Sequence, residues 1–182
     1  MDKFRFTIRE FCFAGIFTAL IVAASQLVIP MPYGVPMTLQ TFVVPLAGMV
    51  LGAKVGTVSV LAYVALGAAG VPVFAGFTGG LGVVFGMTGG FILSFPIMAL
   101  AAGLGEKKNK ALWSVSGLVA GAAVNYICGM LWFAFMAGCG LKTAFLACVL
   151  PFVPTAILKI VLVYVFGRQI RRVLAHRNIL PS

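Results

Sequence analysis

Acidic residues are almost missing from this sequence. Asp2, Glu10 and Glu106 are the only three, and they stand beside one histidine and two tryptophans. No pair of carboxylates is available for general acid–base work or for a proton relay. No Ser/His/Asp set and no histidine-rich metal site can be assembled, so the chain is not expected to be an enzyme and needs no cofactor. A nucleotide loop is also lacking. The glycine-rich stretch from Gly76 to Gly90 has no Gly-Lys-Ser/Thr ending, so the chain cannot hydrolyse ATP by itself. Cys12, Cys128, Cys139 and Cys148 have no metal-ligand spacing and read as small packing residues. Segments alternating apolar and polar residues, the mark of a membrane barrel, are absent as well.

Charged residues make up 9% of the chain, against about 25% in a typical soluble domain, while 62% of it is hydrophobic. Mean hydropathy is +1.15. With so few charges, water cannot be the solvent around most of the surface. A helix crossing a bilayer needs roughly 20 mostly apolar residues, and charges and Pro/Gly clusters divide the chain into such runs. The expectation is an all-α membrane protein, residues 1–182 forming one compact bundle of six transmembrane helices. The spans fall at about 11–28, 39–51, 55–69, 90–104, 112–136 and 146–166. The first span ends at Ile29-Pro30-Met31-Pro32, followed by Gly34 and Pro36, rather than at a cleavage site, so no signal peptide is expected.

Positive charge sorts onto one side of that bundle. With six spans, Lys3, Arg5, Arg9, Lys54, Lys107, Lys108, Lys110, Arg168, Arg171, Arg172 and Arg177 all share the side of the two termini. The other side holds only Lys142. Lys/Arg excess marks cytoplasmic loops, so both termini are expected inside a prokaryotic plasma membrane. The net charge of +10 then reads as topogenic charge with attraction to anionic lipid, and no nucleic acid is required. The run Arg168-Gln169-Ile170-Arg171-Arg172 is a juxtamembrane basic patch, which a partner protein could equally use.

One cation escapes this sorting. Lys159 lies within the last span, and the three acids all fall at the basic edge. A lysine in a span is costly and usually faces the bundle interior or a wet cavity. Two readings follow: an anionic ligand, above all a carboxylate, supplies the missing charge, or the side chain snorkels to an interface. The glycine-rich connection offers complementary material. Phe74 and Phe77 supply apolar walls, Thr78 and Thr88 hydroxyls, and Gly79, Gly80, Gly82 and Gly89 close backbone approach, with Phe91 following. The alternative is a tightly packed turn. Other polar groups in the spans are Thr38 and Gln40, which open the second, and Asn125 and Tyr126 in the fifth. Asn125 reads equally as a ligand contact or a helix–helix amide, and Trp132 as a pocket wall or an interface aromatic. On the first span, Gly15, Ala19 and Ala23 recur every four residues. They form either an internal packing seam or a docking face for another membrane subunit.

Several stretches in order resemble a known family. Residues 35–41, VPMTLQT, are similar to V-P-I-T-L-Q. Residues 66–76, LGAAGVPVFAG, are similar to L-G-A-A-G-L-P-V-F-A-G. Residues 79–82 and 86–91, GGLG and GMTGGF, resemble G-G-L-G and G-P-T-G-G-Y, and residues 151–159 resemble P-F-x-P-G-D-x-x-K. The chain thereby resembles the BioY family over nearly its whole length. The resemblance implies a substrate-binding S component of an energy-coupling factor (ECF) transporter: six helices that capture biotin at the outer face. It also implies partnership with a transmembrane coupling subunit and two cytoplasmic ATPases, which alone would use ATP, and toppling in the bilayer during transport. Gly15/Ala19/Ala23 match the family's A-x-x-x-A docking element. The sequence departs from the family at Thr155 and Ala156, which replace the Gly-Asp of the last motif, and at Met87 and Phe91, which replace Pro and Tyr. Because that aspartate belongs to the polar end of the biotin site, Asn125, Thr78 or backbone groups are expected to take its place, or the ligand is a related carboxylate. A second vitamin and a ligand-free scaffold are the competing functions.

Overall fold

The computed structural model describes residues 6–31 and 35–176. Asp2, Lys3, Arg5, Pro32, Gly34 and Arg177 therefore lie outside the described residues. The order is α1 (Ile8–Ser25), β1 (Val28–Ile29), β2 (Met37–Thr38), α2 (Gln40–Ala68), α3 (Leu81–Val84), α4 (Gly89–Glu106), α5 (Ala111–Ala137), α6 (Leu141–Cys148) and α7 (Val153–His176), with a 3-10 turn at Leu150–Phe152 before the last helix. Five helical stretches are long and apolar enough to cross a membrane.

The second of these, α2, is two arms. Gly52 sits at φ 81°, ψ 171°, a region essentially closed to residues with a side chain, and the chain reverses there. A β-carbon on Gly56 would stand 2.6 Å from Gly48 Cα, whereas a straight helix would separate them by about 12 Å. The expected second and third spans are thus the two arms of one hairpin, 40–51 and 53–68.

Glycine also sets how closely the helices pack. Gly48 abuts the backbone of Ala99 on α4, and a β-carbon on Gly105 would lie 3.0 Å from Gly117 Cα on α5. In lipid, such small-residue seams bring backbones together where no hydrophobic effect drives association. α4 therefore forms the centre of the bundle, and α7 lies along its side, where only Val163 and Gly167 are buried.

Two features of the last span go beyond the sequence-based expectation. Its long helix begins at Val153, inside one apolar stretch that runs from Leu141 to His176. Pro151, which lacks an N–H, and Pro154 belong to the 3-10 turn and the first helical turn, positions that need no intrahelical donor. α6 is a separate short helix ahead of them. The last span also continues through its basic run to His176, since arginine is a good helix former. An all-helical reading missed a small ribbon: β1 pairs antiparallel with β2, Val28 opposite Thr38 and Ile29 opposite Met37.

The two ends of the bundle are chemically unlike. One carries the start of α1, the Gly52 turn, the α4–α5 connection and the end of α7, with Arg9, Lys54, Lys107, Lys108, Lys110, Arg168, Arg171 and Arg172. Both described carboxylates are there: Glu10 closes a capping box with Thr7 and lies 3.6 Å from Lys54, and Glu106 lies 3.9 Å from Arg168. The other end carries the ribbon, the glycine-rich connection, α6 and the start of α7.

Candidate functional site

A cavity of about 310 Å³ opens in that second end. Its polar side is built where three elements meet. The ribbon delivers Thr38, the first turn of α2 delivers Gln40 and Thr41, and the second turn of α7 delivers Lys159. Lys159 Nζ donates to the Thr38 carbonyl and to Thr41 Oγ1, both at 2.8 Å. Two of its three protons are thereby fixed, and among the described residues no carboxylate is close, because Glu10 and Glu106 are held at the far end. Among the described residues Lys159 is the one charged group lining the cavity. The first-turn N–H groups of α2, the positive end of a helix, lie beside it. A fixed ammonium reinforced by a helix N-terminus, in a mostly apolar chamber, is an environment that lacks an anion.

Behind this corner runs a buried chain of amide and hydroxyl groups. Thr38 Oγ1 donates to Gln40 Oε1 at 2.7 Å, and Gln40 Nε2 donates to the Tyr63 hydroxyl at 2.5 Å. Tyr63 is fully buried. Gln40 thus ties Thr38, whose carbonyl holds Lys159, to the buried Tyr63.

The remaining walls are apolar and aromatic. Phe74 meets Tyr63 edge-on at 5.5 Å between centroids, Phe91 meets Tyr126 edge-on at 6.4 Å, and Tyr126 meets Phe152 at 6.5 Å. Glycines seat two of these rings. The Phe74 ring fills the space a Gly67 side chain would need, and the Phe91 ring does the same at Gly129. Thr78, Thr88 and the Tyr126 hydroxyl add polar groups to the lining.

The glycine-rich connection is a tied structure. Phe74 N–H donates to the Thr78 carbonyl at 2.8 Å. Ser25 Oγ donates to the Val73 carbonyl at 2.6 Å, and Phe77 N–H donates to Gln26 Oε1 at 2.8 Å, so the end of α1 clamps the loop. Gly80, at φ 93°, donates its N–H to the Gly67 carbonyl at 2.7 Å.

Of the residues singled out from sequence, the cavity brings together Lys159, Thr38, Gln40, Phe74, Thr78, Thr88, Phe91 and Tyr126. It does not include the others. Phe77 is 72% exposed and does not line the cavity. Gly79 packs on the Val71 backbone and Gly89 on the Val84 carbonyl, while Gly82 is exposed with open space around it. These glycines shape the loop rather than line the chamber. Asn125 donates to the Phe91 carbonyl at 3.0 Å and Ser94 Oγ at 2.8 Å, joining α5 to α4. Trp132 donates to the Gly86 carbonyl at 2.9 Å and latches the loop from outside. Gly15, Ala19 and Ala23 are exposed, and the buried face of α1 is instead Ala14, Phe17, Thr18, Ile21, Ala24 and Ser25. The structure thus removes the internal-seam reading of that stripe.

Sequence reasoning missed Thr41, the hydroxyl that holds the ammonium, although it stands inside a motif that was singled out. It also missed Val35, Ile92, Phe95, Cys148 and Phe152 in the lining. Apolar residues in an apolar chain carry no local mark of which face meets a cavity.

Comparison with known proteins bears on this arrangement. The BioY family model matches residues 1–176. A probable biotin transporter BioY of Pyrococcus horikoshii is 44% identical over 151 residues, covering 83% of this chain and 89% of that protein. The biotin transporter BioY of Thermotoga maritima is 39% identical over 170 residues, covering 93% and 99%. A crystal structure of the S-component for biotin from an ECF-type ABC transporter superposes with a TM-score of 0.85 at 28% identity, over 91% of this chain and 92% of that one. A match across almost the whole length, with relatives of the same extent and the same helical path, leaves one assignment: this chain belongs to the BioY family.

Proposed function

We propose that this protein is the substrate-binding component of an ECF-type transporter and captures biotin in the cavity beside Lys159. The observation that carries the reading is the ammonium itself. It is held by Thr38 and Thr41, lines a chamber of about 310 Å³ and has no carboxylate partner among the described residues. Biotin joins a compact ureido-bearing bicycle to an apolar chain that ends in a carboxylate. The carboxylate pairs with Lys159 and the first turn of α2, and the ring system lies among Phe74, Phe91, Tyr126 and Phe152. Tyr126, whose hydroxyl has no hydrogen-bond partner among the described residues, and the Thr88 and Thr78 hydroxyls are the groups available to the ureido end.

Six crossings, counting the two arms of α2, put both termini on the basic side, which the charge asymmetry assigns to the cytoplasm. The cavity then opens outward. The exposed stripe Gly15, Ala19 and Ala23 on α1 is the face for a transmembrane coupling subunit, and two ATPases bound to that subunit supply the energy. Ala156, in place of an aspartate, favours one second reading, a biotin-like carboxylate with a simpler head.

Isothermal calorimetry on the purified protein tests this. Biotin is expected to bind at about micromolar strength or tighter. No heat with biotin, together with heat from a related carboxylate vitamin, selects the second reading. No heat with either overturns both.

A further inference from the structure

The basic end holds a second concavity, of about 290 Å³, between the end of α4 and the last turns of α7. Lys107, Arg168, Arg171 and Arg172 line it, against one carboxylate, Glu106. Topogenic charge alone does not require a pocket, and here the cations are organised. Arg171 is anchored through Nη1 to the Met49 carbonyl at 3.0 Å and to the Val50 carbonyl at 3.4 Å. Arg168 donates through Nη1 to the Tyr164 hydroxyl at 3.1 Å and stacks over that ring. Its Nε and Nη2 are buried and make no hydrogen bond, and Glu106 is only at ion-pair distance, its other oxygen taken by Ser114. Buried guanidinium donors left without acceptors cost free energy. Four basic side chains against one carboxylate leave an excess of positive charge in the pocket, which an anion with several acceptor oxygens balances.

The surroundings say which anion. On α7, Val161, Val165, Arg168 and Arg172 follow one another at helical spacing on one face. Val161 and Val165 are exposed. The α7 wall of the pocket therefore continues into an apolar strip in the direction of the membrane interior. Phosphate chemistry at the pocket and apolar surface beneath it match the two halves of one molecule.

We infer that this pocket is a binding site for an anionic phospholipid, whose phosphodiester head sits among Lys107, Arg168 and Arg172 and whose acyl chains lie along the α7 strip. The site is at the opposite end of the bundle from the Lys159 cavity and is independent of what that cavity binds.

The test uses the whole chain in nanodiscs of phosphatidylcholine, titrated with phosphatidylglycerol and followed by native mass spectrometry. Saturable retention of phosphatidylglycerol is expected. Lys107→Gln and Arg172→Gln, both at exposed positions, are expected to weaken it about fivefold each, with unchanged biotin affinity and melting temperature serving as the folding control. Inorganic phosphate is expected to compete poorly, since it lacks the chains. Equal retention of phosphatidylcholine, or retention unaffected by the two substitutions, overturns the proposal. So does inorganic phosphate competing at the affinity of the lipid, which would make the pocket a site for a soluble phosphate. Loss of coupling-subunit assembly in the two variants with lipid retention unchanged would assign the pocket to a protein partner and likewise overturn it.

Discussion

Lys159 Nζ donates a 2.8 Å hydrogen bond to the backbone carbonyl of Thr38, 121 residues earlier in the chain. The contact joins the last helix to the ribbon that precedes α2, and it parks a cation far from both described carboxylates, Glu10 and Glu106. The free protein is expected to bear a cost for that charge. Lys159→Met should therefore abolish or strongly weaken biotin binding while leaving the unliganded protein as stable or more stable. Loss of a buried charge pair of this type costs about 2–5 kcal/mol, or roughly 30-fold and upward in affinity. Calorimetry with a thermal melt of the unliganded protein reads both halves. Unchanged binding removes Lys159 from the site.

The hydroxyl of Thr41 supplies the second 2.8 Å acceptor. Thr41→Val keeps the shape and removes that bond, freeing the ammonium to rotate about its remaining contact. Biotin affinity should fall by about 1 kcal/mol, close to fivefold, with the melting temperature little changed. A loss as large as that of Lys159→Met would mean that Thr41 touches the ligand directly rather than positioning the lysine.

Gly129 has no side chain because the Phe91 ring occupies the space. Gly129→Ala should push that ring into the cavity. Overpacking of this kind costs about 1–3 kcal/mol, and the cavity loses volume at the same time, so affinity should drop more than stability. Phe91→Leu on top of Gly129→Ala should restore much of the binding, since the shorter side chain clears the new methyl group. Failure of that rescue would locate the effect in the helix packing of α4 on α5 instead.

These residues differ in how well the sequence announces them. Lys159 is legible because it is a lone charge in an apolar run, and its position excludes every acid in the chain. The chain reversal at Gly52 is legible because Gly52-Ala53-Lys54 interrupts two apolar segments. The basic end is legible because lysine and arginine cannot be distributed at random across a bilayer. Composition groups Phe77 and Gly82 with the candidate site, yet both are exposed and neither lines the cavity. Gly67 and Gly129 carry the opposite lesson. Their significance lies in rings 7 and 38 residues away in sequence, a relation set by tertiary packing alone. The break before α7 is hard to place from sequence because α6 and α7 form one apolar run, interrupted by Pro151 and Pro154.

Ala19 lies on the outward face of α1, between Gly15 and Ala23, and no part of the cavity touches it. A larger apolar side chain there faces lipid in the isolated protein, so Ala19→Leu should change stability by no more than about 0.5 kcal/mol and leave biotin affinity as it is. A coupling subunit that packs its own helix against this stripe depends on small residues for close backbone approach. Co-purification with that subunit should then fall sharply for Ala19→Leu, and further for Ala19→Trp, while biotin binding by the solitary protein persists. Full assembly of both variants would place the docking surface on another helix, and α7, with its long exposed apolar face, would be the first to examine.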